Sequence, residues 1–176
     1  GNVPSAVQKE GQSIFDMDIE SIRKTIDLNL LGSVYPTLIF GPVILETGKG
    51  SIINISSMAS ERAVSRVMGY SLAKSAIENF TKWMSMELGK LKGDKVRINA
   101  IAPGFFISEQ NRAILTNEDG SLTDRAETII KHTPAGRLGE PKELISTAVW
   151  LCSDESSFVN GAIIPVDGGF SKFSGV

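Results

Sequence analysis

Ser51-Ile52-Ile53-Asn54-Ile55-Ser56 is a short, apolar, β-branched run that follows the turn Gly48-Lys49-Gly50. Its length and the glycine turn before it read as a buried strand. Two runs of the same kind come later: Val96-Arg97-Ile98-Asn99-Ala100-Ile101 after Gly93-Asp94, and Ala162-Ile163-Ile164-Pro165-Val166 after Asn160-Gly161. Helical patterns lie between and before them. From about Tyr70 to Lys92, the residues Ala73, Ile77, Phe80, Met84, Leu88 and Leu91 recur at three- and four-residue steps. An earlier helix is expected to start at Asp18 as N-cap, with Glu20 in its first turn. A later one follows Pro141, with Leu144, Ile145, Ala148 and Leu151 on one side.

This alternation predicts a parallel sheet covered on both faces. Right-handed crossovers lay the three strands side by side and leave the first with an unpaired edge, whose partner is expected upstream of Gly1. The stretch Leu28 to Leu45 reads as a buried helix, kinked or broken early at Pro36 and Pro42. No run in the sequence reads as a membrane span, and the N-terminus lacks a signal-peptide layout.

At 176 residues and a net charge of −2, the chain has the size of one domain, taken here as 1–176, and no basic run that suits nucleic acid. Cys152 is the single cysteine, which excludes an intramolecular disulfide and a zinc-ribbon site. The single histidine, His132, reads as a surface or helix-end residue.

Tyr70 and Lys74 stand four residues apart, which makes them neighbours on one helix face. A free phenol has a pKa of about 10 and is a poor base at neutral pH; a fixed ammonium beside it is expected to lower that value. The spacing alone arises by chance in roughly one chain in three of this length. Its surroundings narrow the reading. Ser56 and Ser57 sit at the carboxyl end of the first strand and Pro103-Gly104 at that of the second, where open parallel sheets bind ligands. Asn29 lies inside an apolar helix, where an amide needs a partner; it reads equally as a satisfied core group or a site residue.

The order Asn29, Ser57, Tyr70, Lys74 resembles the short-chain dehydrogenase/reductase family. So do the strings Asp27-Leu28-Asn29-Leu30-Leu31-Gly32, Ile53-Asn54-Ile55-Ser56-Ser57, Val96 to Gly104 and Val166-Asp167-Gly168-Gly169. The resemblance implies an α/β fold, the C-terminal two-thirds of a doubly wound parallel-sheet Rossmann domain, with the N-terminal strands and glycine-rich loop absent from the chain. It implies an NAD(P)-dependent oxidoreductase with Tyr70 as acid/base and Lys74 binding the nicotinamide ribose and lowering the Tyr70 pKa. Ser57 would hold the substrate oxygen, and Asn29 would anchor a water. Pro103, Gly104, Phe106 and Ser108 would meet the cofactor together with Tyr70 and Lys74. NAD or NADP is expected, NAD being the first choice, although the residues that choose lie upstream of Gly1. Without that upstream part, the stretch as written is expected to bind a dinucleotide poorly and not to fold stably alone.

Phe105 to Leu122 and the tail Asp167 to Val176 are similar to the D-mannonate oxidoreductase, or fructuronate reductase, subgroup. A hexuronate substrate needs a cation, and Arg66, Asn111 and Arg112 are the candidates, since a guanidinium can grip a carboxylate with two bonds. Other expectations are a small sugar-acid substrate, no nucleic-acid or membrane partner, a homodimer or homotetramer, and a cytoplasmic location. Rival readings are a different keto-sugar, gluconate or 3-oxoacyl reductase, or a noncatalytic Rossmann-like binding module.

Overall fold

The structure, a computed structural model, describes residues 1–108 and 112–175. Its helices are α1 (Ile19–Ile26), α2 (Gly32–Glu46), α3 (Met68–Lys92), α4 (Arg112–Leu115), α5 (Asp124–Lys131) and α6 (Ile145–Cys152). The strands β1 (Gly50–Ile55), β2 (Val96–Pro103) and β3 (Ile163–Val166) form one parallel sheet in the order β1-β2-β3. Gly50 pairs with Val96 through to Ile55 with Ile101, and Ala100 with Ile163 through to Pro103 with Val166.

Strand periodicity explains the two layers around this sheet. Alternate residues Ile52, Val96 and Ile98 meet Leu88 and Met84 of α3 and Ile44 and Leu45 of α2. Their neighbours Ser51, Arg97 and Asn99 turn to the opposite side. There the Ser51 hydroxyl donates to the Leu151 carbonyl of α6, and Arg97 reaches the carbonyls of Leu151, Ser153 and Val159. Asn99 accepts from the Ala162 N–H and donates to the Val159 carbonyl, which fixes the turn that feeds β3. The fold is the doubly covered parallel sheet expected.

The three strands differ in burial. β2 is buried along nearly its whole length, whereas β1 and β3 are only half-buried, because β1 is an edge among the described residues and β3 is short. Strand bounds move slightly: β1 begins at Gly50 and ends before Ser56, β2 runs on to Pro103, and β3 starts at Ile163.

Asp18 caps α1, accepting from the Ser21 N–H, as expected. Gly93, with φ 63°, ends α3 through a bond from its N–H to the Gly89 carbonyl; this positive φ is a conformation that glycine adopts freely. Gly69 lets α3 pass close to α1, since a β-carbon there would lie 3.3 Å from Cγ2 of Ile22.

Two expectations about the apolar helix give way. The chain stays helical through Pro36 and Pro42, and its irregularity lies earlier, as a π turn at Asp27–Leu31. The helix is not buried either, for Leu28, Tyr35, Leu38, Ile39, Phe40 and Val43 are exposed, and only Thr37 and Gly41 of α2 are buried. With α1, the π turn and α2 joined, Ile19–Glu46 forms a helix of 28 residues that contains an 18-residue stretch of mean hydropathy 1.6, long and apolar enough to cross a membrane by length and composition. That corrects the reading that nothing reached span length, which treated the segments separately. The same helix packs on the sheet through Ile44 and Leu45, as core helices do, so length and composition do not make it a span.

A second apolar cluster sits beyond the carboxyl ends of the strands. Leu115, Ala126, Ile129 and Leu138 form it, with Phe105 and Phe170 against them. It ties α4, α5 and the tail to the loop after β2.

Candidate active site

The chain leaves β1 at Ser56-Ser57 and β2 at Gly104-Phe105, and a cleft of about 700 Å³ opens between these ends. Ser57 is buried and caps a short helical turn at Met58–Ser60, its Oγ accepting from the Ala59 N–H at 3.2 Å. Tyr70, in the first turn of α3, brings its hydroxyl to Ser57. Burial pushes the Tyr70 pKa above its ordinary value, and the hydrogen bond to Ser57 only partly opposes that shift.

Lys74 lies one turn further along α3. Its Nζ is 5.4 Å from the centroid of the Tyr70 ring and donates to the Ile55 carbonyl at 2.6 Å. Burial lowers its pKa to about 8. The expected lowering of the Tyr70 pKa by this ammonium is therefore reversed in the free chain. Desolvation is the larger cause, and the ammonium is directed to a strand-end carbonyl.

Asn29 sits in the π turn, a distortion that often marks functional sites. Its Nδ2 donates to the carbonyls of Thr25 and Gly1, and its Oδ1 accepts from the Gly1 amino group at 2.8 Å. The amide is thus satisfied. Asn29 and Lys74 both face a groove between α2 and the β1 edge, whereas Ser57, Tyr70 and Gly104 face the cleft. Lys74 bridges the two, through its carbonyl contact and its position below the Tyr70 ring.

A buried carboxylate supports this arrangement. Glu78, two turns after Tyr70, accepts from the Ser56 hydroxyl at 2.7 Å and also from the Ser60 hydroxyl. The Ser60 hydroxyl also lies 2.6 Å from the Ser57 carbonyl, so its one proton is shared between the two acceptors. The residues on both sides of Ser57 are thereby tied to the helix that carries Tyr70 and Lys74. The sequence reading missed Glu78; a glutamate at the four-residue step after Lys74, on the face of Ile77 and Thr81, was the available signal.

Pro103 ends β2, and Gly104 follows it into the cleft. A side chain at Gly104 has no room, because a β-carbon would lie 2.7 Å from Cα and Cβ of Asp167. Phe106 turns away from the cleft and lies on Gly139, and the Ser108 carbonyl accepts from the Arg112 N–H at 2.9 Å. From this segment it is Phe105 that lines the cleft.

Of the substrate candidates, Arg66 lines the cleft, Arg112 stands exposed at the start of α4, and Asn111 lies outside the described residues. α4 offers Ile114 and Leu115 to the cleft instead. Arg125 of α5 lines it too and was not foreseen. Its signal was a cation in the first turn of a helix, where the helix dipole disfavours positive charge. His132 ends α5, exposed as expected, and Cys152 is free and exposed.

Comparison with known proteins places this geometry. A family described as enoyl-(acyl carrier protein) reductase, of the short-chain dehydrogenase/reductase type, matches residues 3–171. The uncharacterized oxidoreductase UxuB of Bacillus subtilis (strain 168) is 40% identical over 185 residues, covering 100% of this chain and 66% of the relative. A solved structure from Haemophilus influenza, described as a "putative D-Mannonate oxidoreductase" with bound NAD, superposes with a TM-score of 0.90 at 43% identity, covering 100% of this chain and 66% of that one. A gluconate 5-dehydrogenase from Burkholderia cenocepacia J2315, in complex with NADP and tartrate, gives 0.81 at 30% identity, covering 96% and 62%. The chain therefore spans 66% or less of the length of these relatives. With the family match running over nearly all of it, the chain belongs to the short-chain dehydrogenase/reductase family.

Proposed function

We propose that the protein is an NAD(P)-dependent oxidoreductase that interconverts D-fructuronate and D-mannonate. The observation that carries this reading is that Ser57 and Tyr70 line the same strand-end cleft, close enough for Ser57 to act on the Tyr70 phenol, with the Lys74 ammonium 5.4 Å from the ring centroid. The likeness to the Haemophilus structure supports the choice of substrate and of NAD.

The residues present suit a nicotinamide. Two hydroxyls line the cleft at the carboxyl ends of parallel strands, the Lys74 ammonium lies behind the Tyr70 ring, and Gly104 keeps its backbone bare at the cleft. The cofactor supplies the hydride when bound. Tyr70 gives a proton to the carbonyl oxygen in reduction and takes one from the hydroxyl in oxidation. Ser57 donates a hydrogen bond to the same oxygen and steadies its developing charge. Lys74 would hold the ribose hydroxyls of a bound cofactor, and its charge would then act on the phenol rather than on the Ile55 carbonyl. Asn29 fixes the helix opposite Lys74.

A gluconate-type reductase is the second reading, supported by the likeness to the Burkholderia enzyme. The test is turnover by the full-length protein of fructuronate, 5-ketogluconate and a 3-oxoacyl thioester with each cofactor, in the wild type and in Tyr70→Phe. Fructuronate is expected to react fastest with NADH, and Tyr70→Phe to lose turnover while keeping cofactor affinity. Unchanged turnover in Tyr70→Phe would overturn the assignment of the acid.

A further inference from the structure

Among its described lining residues, the cleft beside Ser57 and Tyr70 carries two positively charged side chains, Arg66 and Arg125, and no negatively charged one. They come from different elements, Arg66 from the loop before α3 and Arg125 from the first turn of α5. Their closeness is fixed by the fold, since Arg125 Nη1 donates to the hydroxyl of Ser65, the residue before Arg66, at 3.3 Å. Burial and the neighbouring Arg66 charge hold the Arg125 pKa below its ordinary value. Neither arginine enters an ion pair among the described residues.

Each is also held against a local preference. Arg66 has φ 75°, in the left-handed region that a bulky residue rarely adopts. Gln8 clamps it there, donating from its N–H to the Arg66 carbonyl at 2.9 Å and accepting from Arg66 Nε at 2.7 Å. Arg125 stands at the positive end of the α5 dipole. A strained backbone, a cation at a helix start and two like charges side by side all disfavour the free chain. An anion between the guanidinium groups offsets the two electrostatic costs, and strain of this kind gathers at ligand sites.

We infer that Arg66 and Arg125 form an anion subsite of the cleft, which takes the carboxylate of a keto or hydroxy acid whose reacting carbon lies at Ser57 and Tyr70. The inference rests on the reading of Ser57 and Tyr70 given above and narrows the substrate to anionic carbonyl compounds. Neutral sugars and ketones lack the group that this pair recognises. Forked guanidinium groups suit a carboxylate better than ammonium groups would, so lysine is a poor replacement at either position.

The test uses the full-length protein with cofactor bound and follows D-gluconate and its neutral counterpart D-sorbitol by calorimetric titration. Wild type is expected to prefer gluconate by about tenfold or more, and Arg66→Gln and Arg125→Gln each to lose most of that preference. Arg125→Lys keeps part of it. Sorbitol and cofactor affinities stay as they were. Arg66→Gly, which relieves the left-handed backbone, separates loss of charge from loss of strain and is expected to behave as Arg66→Gln. An equal preference in wild type and both glutamine variants overturns the subsite, as does a wild type with no preference. A matched loss of gluconate, sorbitol and cofactor binding also overturns it, marking a folding role or a cofactor-phosphate contact. If the preference falls in the variants while wild type turns over no fructuronate, the subsite stands and the substrate proposal falls.

Discussion

Lys74 donates to the Ile55 carbonyl at 2.6 Å while its ammonium stays 5.4 Å from the Tyr70 ring centroid. One side chain is thus shared between the open edge of the sheet and the phenol. The charge is available to Tyr70 only if it is drawn off the carbonyl, and a ribose diol is the kind of acceptor that can compete for it.

A pH dependence follows from that burial. The Lys74 pKa is lowered to about 8, whereas an unfolded lysine titrates near 10.4. Below about 8 the group is charged in both states, and its burial costs stability in full. Between about 8 and 10.4 the unfolded chain binds more protons, so stability from this group rises with pH. The slope is at most about 1.4 kcal/mol per pH unit. Urea denaturation at pH 8 to 10 is expected to show this rise in wild type and a flatter profile in Lys74→Met. Parallel profiles would remove Lys74 as the titrating group.

Ser57→Ala deletes the hydroxyl that faces Tyr70, and with it the cap of the turn at Met58–Ser60. Turnover is expected to fall by about 10²–10³-fold with a smaller change in KM, as for loss of one donor to a developing oxyanion. A change confined to KM would place Ser57 in ground-state binding only.

Glu78→Leu removes the acceptor of the buried Ser56 hydroxyl and one of the two acceptors of the half-buried Ser60 hydroxyl. The expected cost is about 2–3 kcal/mol, from one poorly satisfied buried donor and a lost charged acceptor. Glu78→Gln keeps an acceptor oxygen and is expected to cost about 1 kcal/mol. Chemical denaturation measures both, and equal losses would mean that the carboxylate matters for packing alone.

Asp167 responds in the opposite pH range. Its partial burial pulls the pKa up, but hydrogen bonds from Ser171 and Gly169 outweigh that and leave it below the ordinary value. A depressed carboxylate stabilises the fold above its unfolded pKa of about 3.9, and the contribution fades as pH falls through the folded value. Asp167→Asn is expected to cost about 1 kcal/mol at pH 7, discounted for exposure, and to match wild type near pH 2. Thermal melts at the two pH values decide it.

Much of this was legible in the sequence because it depends on local rules. Three β-branched runs after glycine turns gave parallel strands in the expected order, and Asp18 capped its helix. Ser57, Tyr70 and Lys74 do meet, as strand-end position and helix spacing required. What escaped depends on tertiary placement. The proline rule put a break at Pro36 and Pro42, but the backbone departs from regularity at Asp27–Leu31, which no residue type announces. The direction of the Lys74 side chain depends on a carbonyl from another element. Arg125 reaches the cleft only because Leu115, Ala126, Ile129 and Leu138 fold its segment over the strand ends, and a linear reading chose Arg112 instead.

The bare backbone at Gly104 lies against Asp167, with less than a methyl group's clearance. The far end of the chain thereby acts as a wedge under the floor on which the reaction is proposed to take place. Enlarging position 104 would lift that floor, and reshaping the Asp167 turn would let it sink. Two stretches distant in the chain are therefore constrained to vary together, and tail substitutions chosen for solubility or labelling would be felt first in catalysis.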